Sequence, residues 1–173
     1  AENYVSKLIA KGYKVAICEQ TEDATQGKSI TKREVVKVVT PATHLSDDIL
    51  IDQDNHYLAA LYKNNDESIA LSFVDSSTGE FKCCVFESLD LALDTLTRLN
   101  PKECLIEYEK DITLTINCLV STYNPLPVKR AIEKFCSFFK IQSIASFGLD
   151  SHDTTIVTAW AIIEYLERTQ KNS

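Results

Sequence analysis

The sequence predicts an α/β protein, and three observations carry that prediction. Stretches rich in β-formers, His56 to Tyr62, Ser68 to Val74 and Glu80 to Phe86, follow one another at short spacing. A segment with helical spacing of its leucines comes directly after them. A further apolar stretch, Glu103 to Tyr108, then returns toward the sheet.

In chain order, Tyr4, Val5, Leu8 and Ile9 share one helical face and Gly12 stands where a left-handed cap would end the helix, which predicts a helix over about 2–11. Alternation at Tyr13, Val15 and Ile17 predicts a strand. The polar stretch Thr21 to Ser29 reads as a loop, and Glu34 to Val39 as a β-branched strand ended by Pro41. Residues 1–40 are thus a helix, strand, loop, strand piece, too small for a whole domain. The polar, punctuated segment 41–54 reads as a linker. Beyond it, Asp75 to Gly79 supplies the turn between the second and third strands of a meander. Ser88 suits a helix N-cap; Leu89, Ala92, Leu93, Leu96 and Leu99 form the apolar face, and Asn100-Pro101 stops the helix because proline disfavours helical geometry in the residue before it. Residues 111–119 fit strand or helix equally, and 123–127 break the chain. Ala131, Phe135, Phe138 and Phe139 predict a helix over about 128–139, Gly148 ends a short segment, and Ile156, Trp160, Ile163 and Leu166 predict a last helix over 154–170.

The chain has 173 residues, 45% of them apolar and 25% charged, with four Gly and four Pro, which excludes disorder, collagen and repeat arrays and allows at most two units. No apolar run approaches the roughly 18 residues of a bilayer span, and the N-terminus has no signal-peptide pattern, so a soluble, cytoplasmic protein is expected. There is no methionine, even at position 1, as expected of an internal piece of a longer chain. Charge divides unevenly: residues 1–40 carry seven basic and five acidic groups, a net +2, whereas 41–173 carry eleven and twenty, a net −9. The acidic part repels phosphate backbones. Any DNA-backbone contact therefore falls to Lys28, Lys32, Arg33 and Lys37.

Cys18, Cys83, Cys84, Cys104, Cys118 and Cys136 contain no C-x-x-C and lie mostly in apolar stretches, so they read as buried thiols with no metal. Gly27-Lys28-Ser29 resembles the end of a phosphate-binding loop, but the first glycine would have to stand at Glu22. Asp75, at a strand end, could hold a metal in a nuclease of ribonuclease-H type, yet Glu80, Glu87 and Asp90 make no recognisable set with it. A turn former bonding nearby amides is the preferred reading of Asp75. His44, His56 and His152 form no triad and read as surface histidines. Trp160 with Phe135, Phe138 and Phe139 reads as core packing along helix faces.

A resemblance goes further. AENYVSKLIAKGYKVAICEQ at 1–20, REVVKVVTPAT at 33–43, FVDSSTGEF at 73–81, LTRLNPKECLI at 96–106, SFGL at 146–149 and TAWAIIEYLERTQ at 158–170 resemble, in order, the bacterial MutS family; Ala42 departs from the Gly usual in T-P-G-T. The resemblance implies a ribonuclease-H-like mixed sheet flanked by helices, preceded by a partial α/β fragment of the mismatch-recognition domain. It implies the end of that domain over 1–40, a linker at 41–54, a connector domain over 55–151 and the start of a lever or core helix at 152–173. The connector would be non-catalytic, linking mismatch binding to a distant ATPase and offering a surface to MutL. The alternative is a metal-dependent nuclease using Asp75. ATP, magnesium, mismatched duplex DNA and a homodimer would belong to the full-length protein. The implied MutL-docking region matches 131–149, where Phe135 and Phe139 should face the core and leave Glu133, Lys134 and Ser137 outward.

Overall fold

The structure, a computed structural model, describes residues 2–20, 33–44, 56–108, 112, 114 and 116–169. The loop expected at Thr21 to Ser29, with Lys28, and the expectation for Lys32 lie outside the described residues, as do most of the expected linker and a third of 111–119.

Helix α1 (Glu2–Ile9) ends at Gly12, whose φ of +81° only glycine adopts without strain. Strands β1 (Val15–Gln20) and β2 (Arg33–Val39) pair antiparallel as a separate two-stranded ribbon, with a register shift between Ile17 and Cys18. Its burial is thin: Ile9 and Val39 are buried, while Tyr4, Leu8, Tyr13 and Val35 remain exposed.

The larger part is a five-stranded mixed sheet in the order β5-β4-β3-β6-β7. Strands β3 (Tyr57–Lys63), β4 (Ile69–Asp75) and β5 (Phe81–Phe86) form the expected antiparallel meander. Helix α2 (Leu89–Leu99) then crosses over so that β6 (Glu103–Glu107) runs parallel to β3. The Ser88 side chain caps α2 and Asn100 closes it in the left-handed region at φ 46°, with Pro101 next, as the local sequence requires. A parallel edge strand, β7 (Leu119–Tyr123), was not expected from the sequence. Its residues L-V-S-T-Y form a short run, and its strand partner among the described residues is β6, sixteen positions earlier, so the pairing is non-local.

Strand alternation sorts the core into two faces. Ala59, Leu61, Leu71, Phe73 and Cys104 pack under Ala92 and Leu96 of α2. Leu58, Ala60, Val74 and Leu105 face helix α4 (Thr155–Thr169) through Ala161, Ile162 and Tyr165. Every residue of β4 is buried, as a central strand covered on both faces must be. Buried Ser72 is satisfied by the Thr158 hydroxyl at 2.6 Å. Thus α4, inside the stretch 152–173 expected to open a following element, forms a full layer of the sheet unit. Helix α3 (Val128–Phe139) and a short 3-10 turn (Ile144–Phe147) pack outside it through Ala131, Phe135, Ile144, Ile156 and Trp160.

Three side-chain expectations are corrected. Phe138 and Phe139 are 43% and 42% exposed and not in the core: Phe135 is the one buried against α4, while Phe138 reaches the edge of Trp160 and Phe139 packs on Phe147 at the end of α3. His56 is not a surface residue; it is buried just before β3, and its Nδ1 has no partner. Cys18 is exposed on the thin ribbon, whereas Cys104 is buried and the other four thiols are half-buried.

Candidate functional site

Asp75 ends β4 with its carboxylate turned into its own loop. Oδ1 accepts the Ser77 backbone N–H at 2.9 Å, the Ser77 hydroxyl at 2.6 Å and the His56 N–H at 3.4 Å. Burial works to raise its pKa, but these bonds together outweigh it and hold the carboxyl below its ordinary value. Among the described residues no three His, Cys, Asp or Glu side chains are placed to hold a metal. Asp75 is a turn former, and the nuclease alternative has no support.

The expected DNA-contact residues that are described, Arg33 and Lys37, are exposed on β2; the register shift at Ile17 and Cys18 falls between them, and pairing with Gln20 and Ile17 puts them on opposite faces of the ribbon. Glu133, Lys134 and Ser137 are exposed along α3, with Arg130 paired to Glu133 at 3.0 Å. The two sets sit on different elements and the structure does not bring them together.

What it does bring together, and the sequence did not signal as a pair, is Lys14 and Glu103. Glu103 opens β6 facing α4 and is completely buried. The Ser121 and Tyr165 hydroxyls donate to its Oε1, and Lys14 Nζ approaches the same oxygen at 3.3 Å while lying 5.2 Å from the centre of the Tyr165 ring. Burial and the Glu103 charge push the Tyr165 phenol up, so it stays a donor. The hint in the sequence was a carboxylate at the head of a largely apolar strand. Lys14 belongs to the α1-β1 connection, so this network ties the N-terminal piece to the sheet unit. Two further contacts act at the same junction. The Ala42 methyl is buried among Leu58, Ala60 and Tyr165, and the Ser76 hydroxyl donates to the Ala42 carbonyl at 2.6 Å. Beside it a cavity of about 800 Å³ opens between α1 and the starts of β3, β6 and β7, lined in part by Lys11, His44 and His56. The His44 ring is within hydrogen-bond distance of the Ser6 hydroxyl at 3.2 Å; burial first, then the positive field of Lys37 and His56, lower its pKa.

Both pieces joined here match known families in sequence. Residues 1–48 match the profile of MutS domain I and residues 56–173 that of MutS domain II. The chain belongs to the MutS family. It is 37% identical to the DNA mismatch repair protein MutS of Halothermothrix orenii, aligned over 100% of this chain and 20% of that protein. The MutS of Methanosarcina barkeri is 36% identical over 98% of this chain and 21% of its own length, and that of Chlorobaculum parvum 36% over 100% and 21%. The chain spans about a fifth of the length of the curated MutS relatives it matches. No helix among the described residues is long and apolar enough to cross a membrane.

Proposed function

We propose that this chain is the connector of a cytoplasmic DNA mismatch-repair protein, with the end of the mismatch-recognition domain attached. In this reading residues 1–40 close the recognition domain, 41–54 lead out of it, 55–151 together with the α4 layer are the connector with a ribonuclease-H-like sheet, and the end of 152–173 leads toward the lever. The observation that carries the reading is the contact of exposed Lys14 with the buried group of Glu103, Ser121 and Tyr165, because it joins two pieces matched to successive domains of one family through a charge contact that resists sliding.

The module works mechanically in this account and carries no catalytic residue. Displacement of the recognition domain moves Lys14, Lys14 pulls on β6 and α4 through Glu103 and Tyr165, and α4 carries the movement on. ATP and magnesium act elsewhere in the longer homodimeric protein; the described residues supply no carboxylate cluster that fits a metal. Lys28, Lys32, Arg33 and Lys37 supply weak, salt-sensitive contacts to the backbone of the mismatched duplex. Glu133, Lys134 and Ser137 meet MutL. Charge reversal at Glu133 and Lys134 in the full-length protein tests the last point by MutL recruitment on mismatched DNA. Recruitment should fall while mismatch binding persists; unchanged recruitment refutes the docking assignment.

A further inference from the structure

The cavity between α1 and the starts of β3, β6 and β7 has no part in the mechanical account, yet its wall is chemically one-sided. Its volume of about 800 Å³ is that of a small-molecule site. Segments distant in sequence build it: the end of α1 at Lys11, the turn from α2 into β6 at Asn100 and Lys102, and the entry to β7 at Asn117, with His44 and His56 between them. No Asp or Glu is among the lining residues, in a chain of net −7. Asp75, which accepts the His56 backbone N–H, has the same carboxylate oxygen engaged by Ser77 and does not line the cavity.

One side chain of this wall is left unsatisfied. His56 is only 7% exposed, and its Nδ1 meets no hydrogen-bond partner. A buried polar atom without a partner is costly, so a group in the cavity that bonds to it recovers that cost. The field in the wall is positive as well: at His44 burial lowers the pKa most, and the charges of Lys37 and His56 lower it further. An anion answers both conditions.

We propose that this cavity binds the phosphate group of a small phosphorylated molecule, with Lys11, Lys102 and His56 as its charged and ring donors and the amides of Asn100 and Asn117 beside them. A phosphate suits the wall better than a carboxylate, because its three terminal oxygens and double charge use donors converging from several segments, whereas a carboxylate offers two oxygens. Ile9, Pro101, Leu119 and Val120 complete the wall and give the carbon part of the ligand an apolar side. A duplex backbone fits less well, since the sheet unit around the cavity holds most of the acidic groups of the chain. The ligand touches α1 and the starts of β6 and β7 at once, so its binding tightens the junction. The site stands on its own residues and does not depend on MutL docking.

The test titrates this chain with inorganic phosphate, ribose 5-phosphate, free ribose, succinate and a short paired DNA duplex, following amide chemical shifts and thermal melting. The variants are Lys11→Glu, at an exposed position, and His56→Phe, which keeps a ring and removes both nitrogens. Melting without ligand checks that each variant is folded. The wild type should bind a phosphate probe saturably with a Kd of about 1 mM or tighter, with shifts centred on Lys11, His56 and Val120. At tenfold Kd the probe should raise Tm by about 3–6 °C. Lys11→Glu should weaken binding by about tenfold or more and His56→Phe by about fivefold. Ribose 5-phosphate binding more tightly than inorganic phosphate identifies an organic phosphate, and equal affinity identifies the free ion; both support the phosphate site. No saturable phosphate binding, shifts centred on Arg33 and Lys37, or full affinity in a folded Lys11→Glu protein overturns it, even if His56→Phe fails to fold. Succinate or ribose binding as tightly as ribose 5-phosphate overturns the phosphate assignment, and preferential binding of the duplex at these residues overturns the small-molecule one.

Discussion

Replacing Lys14 by methionine keeps the aliphatic stem and removes only the ammonium group from the junction. The buried Glu103 carboxylate is then left with two hydroxyl donors on Oε1 and no partner on Oε2. At an effective dielectric of about 20, unit charges at the observed 3.3 Å attract by about 5 kcal/mol. The Lys14 side chain is 37% exposed, so solvent screens a large part, and the expected net loss is about 2–3 kcal/mol. For a chain of this size that lowers Tm by about 5–10 °C. Glu103→Gln should cost less, about 1 kcal/mol, because Lys14 can turn to water while the amide still accepts the hydroxyl bonds. The double variant should be less destabilised than the sum of the singles, with a coupling of about 1.5 kcal/mol or more in a urea-unfolding cycle. A Lys14→Met loss below about 0.5 kcal/mol, or a coupling near zero, refutes the claim that this pair holds the junction.

Two further outcomes follow from individual side chains. Because the Asp75 carboxyl is held below its ordinary value in the folded state, its contribution is fully present above the unfolded pKa of about 3.9 and is lost as pH falls through the lower folded value. Asp75→Asn should therefore lower Tm at pH 6 and flatten the acid limb of a Tm-against-pH curve; a parallel shift of the whole curve contradicts the turn assignment. Burial, with the nearby Glu103 charge, pushes the Cys118 thiol up to about 11, and burial pushes Cys104 well up, whereas Cys18 is exposed. A thiol reagent at pH 8 should label Cys18 fast and Cys104 only on unfolding, and a chelator should leave Tm unchanged; fast labelling of Cys104 or a chelator-dependent Tm contradicts the buried-thiol reading.

The sequence made local structure legible where one segment carries its own signal. Ser88, the leucine spacing and Asn100-Pro101 delimit α2, and the Asp75 to Gly79 turn sets the meander. What it hid depends on partners distant in the chain. Strand β7 exists because β6 offers it an edge, and Ser121 points inward because Glu103 needs a donor. Phe139 fits the apolar face of α3 by spacing, yet it is exposed because its ring packs on Phe147 at the surface and not against α4. His56, at a loop edge in sequence, is buried beside the turn at Asp75, whose carboxylate accepts its N–H. Glu103 and Lys14 lie 89 positions apart, and no periodicity within either segment relates them.

The central claim, that the junction passes information between mismatch binding and the rest of a longer repair protein, is tested most directly by mismatch-stimulated nucleotide exchange in the full-length protein, wild type against Lys14→Met. The account predicts mismatch affinity within about twofold of wild type and a loss of most of the difference in exchange rate between mismatched and paired DNA. A Lys14→Met protein whose junction is measurably destabilised but whose exchange still responds fully to the mismatch would contradict it.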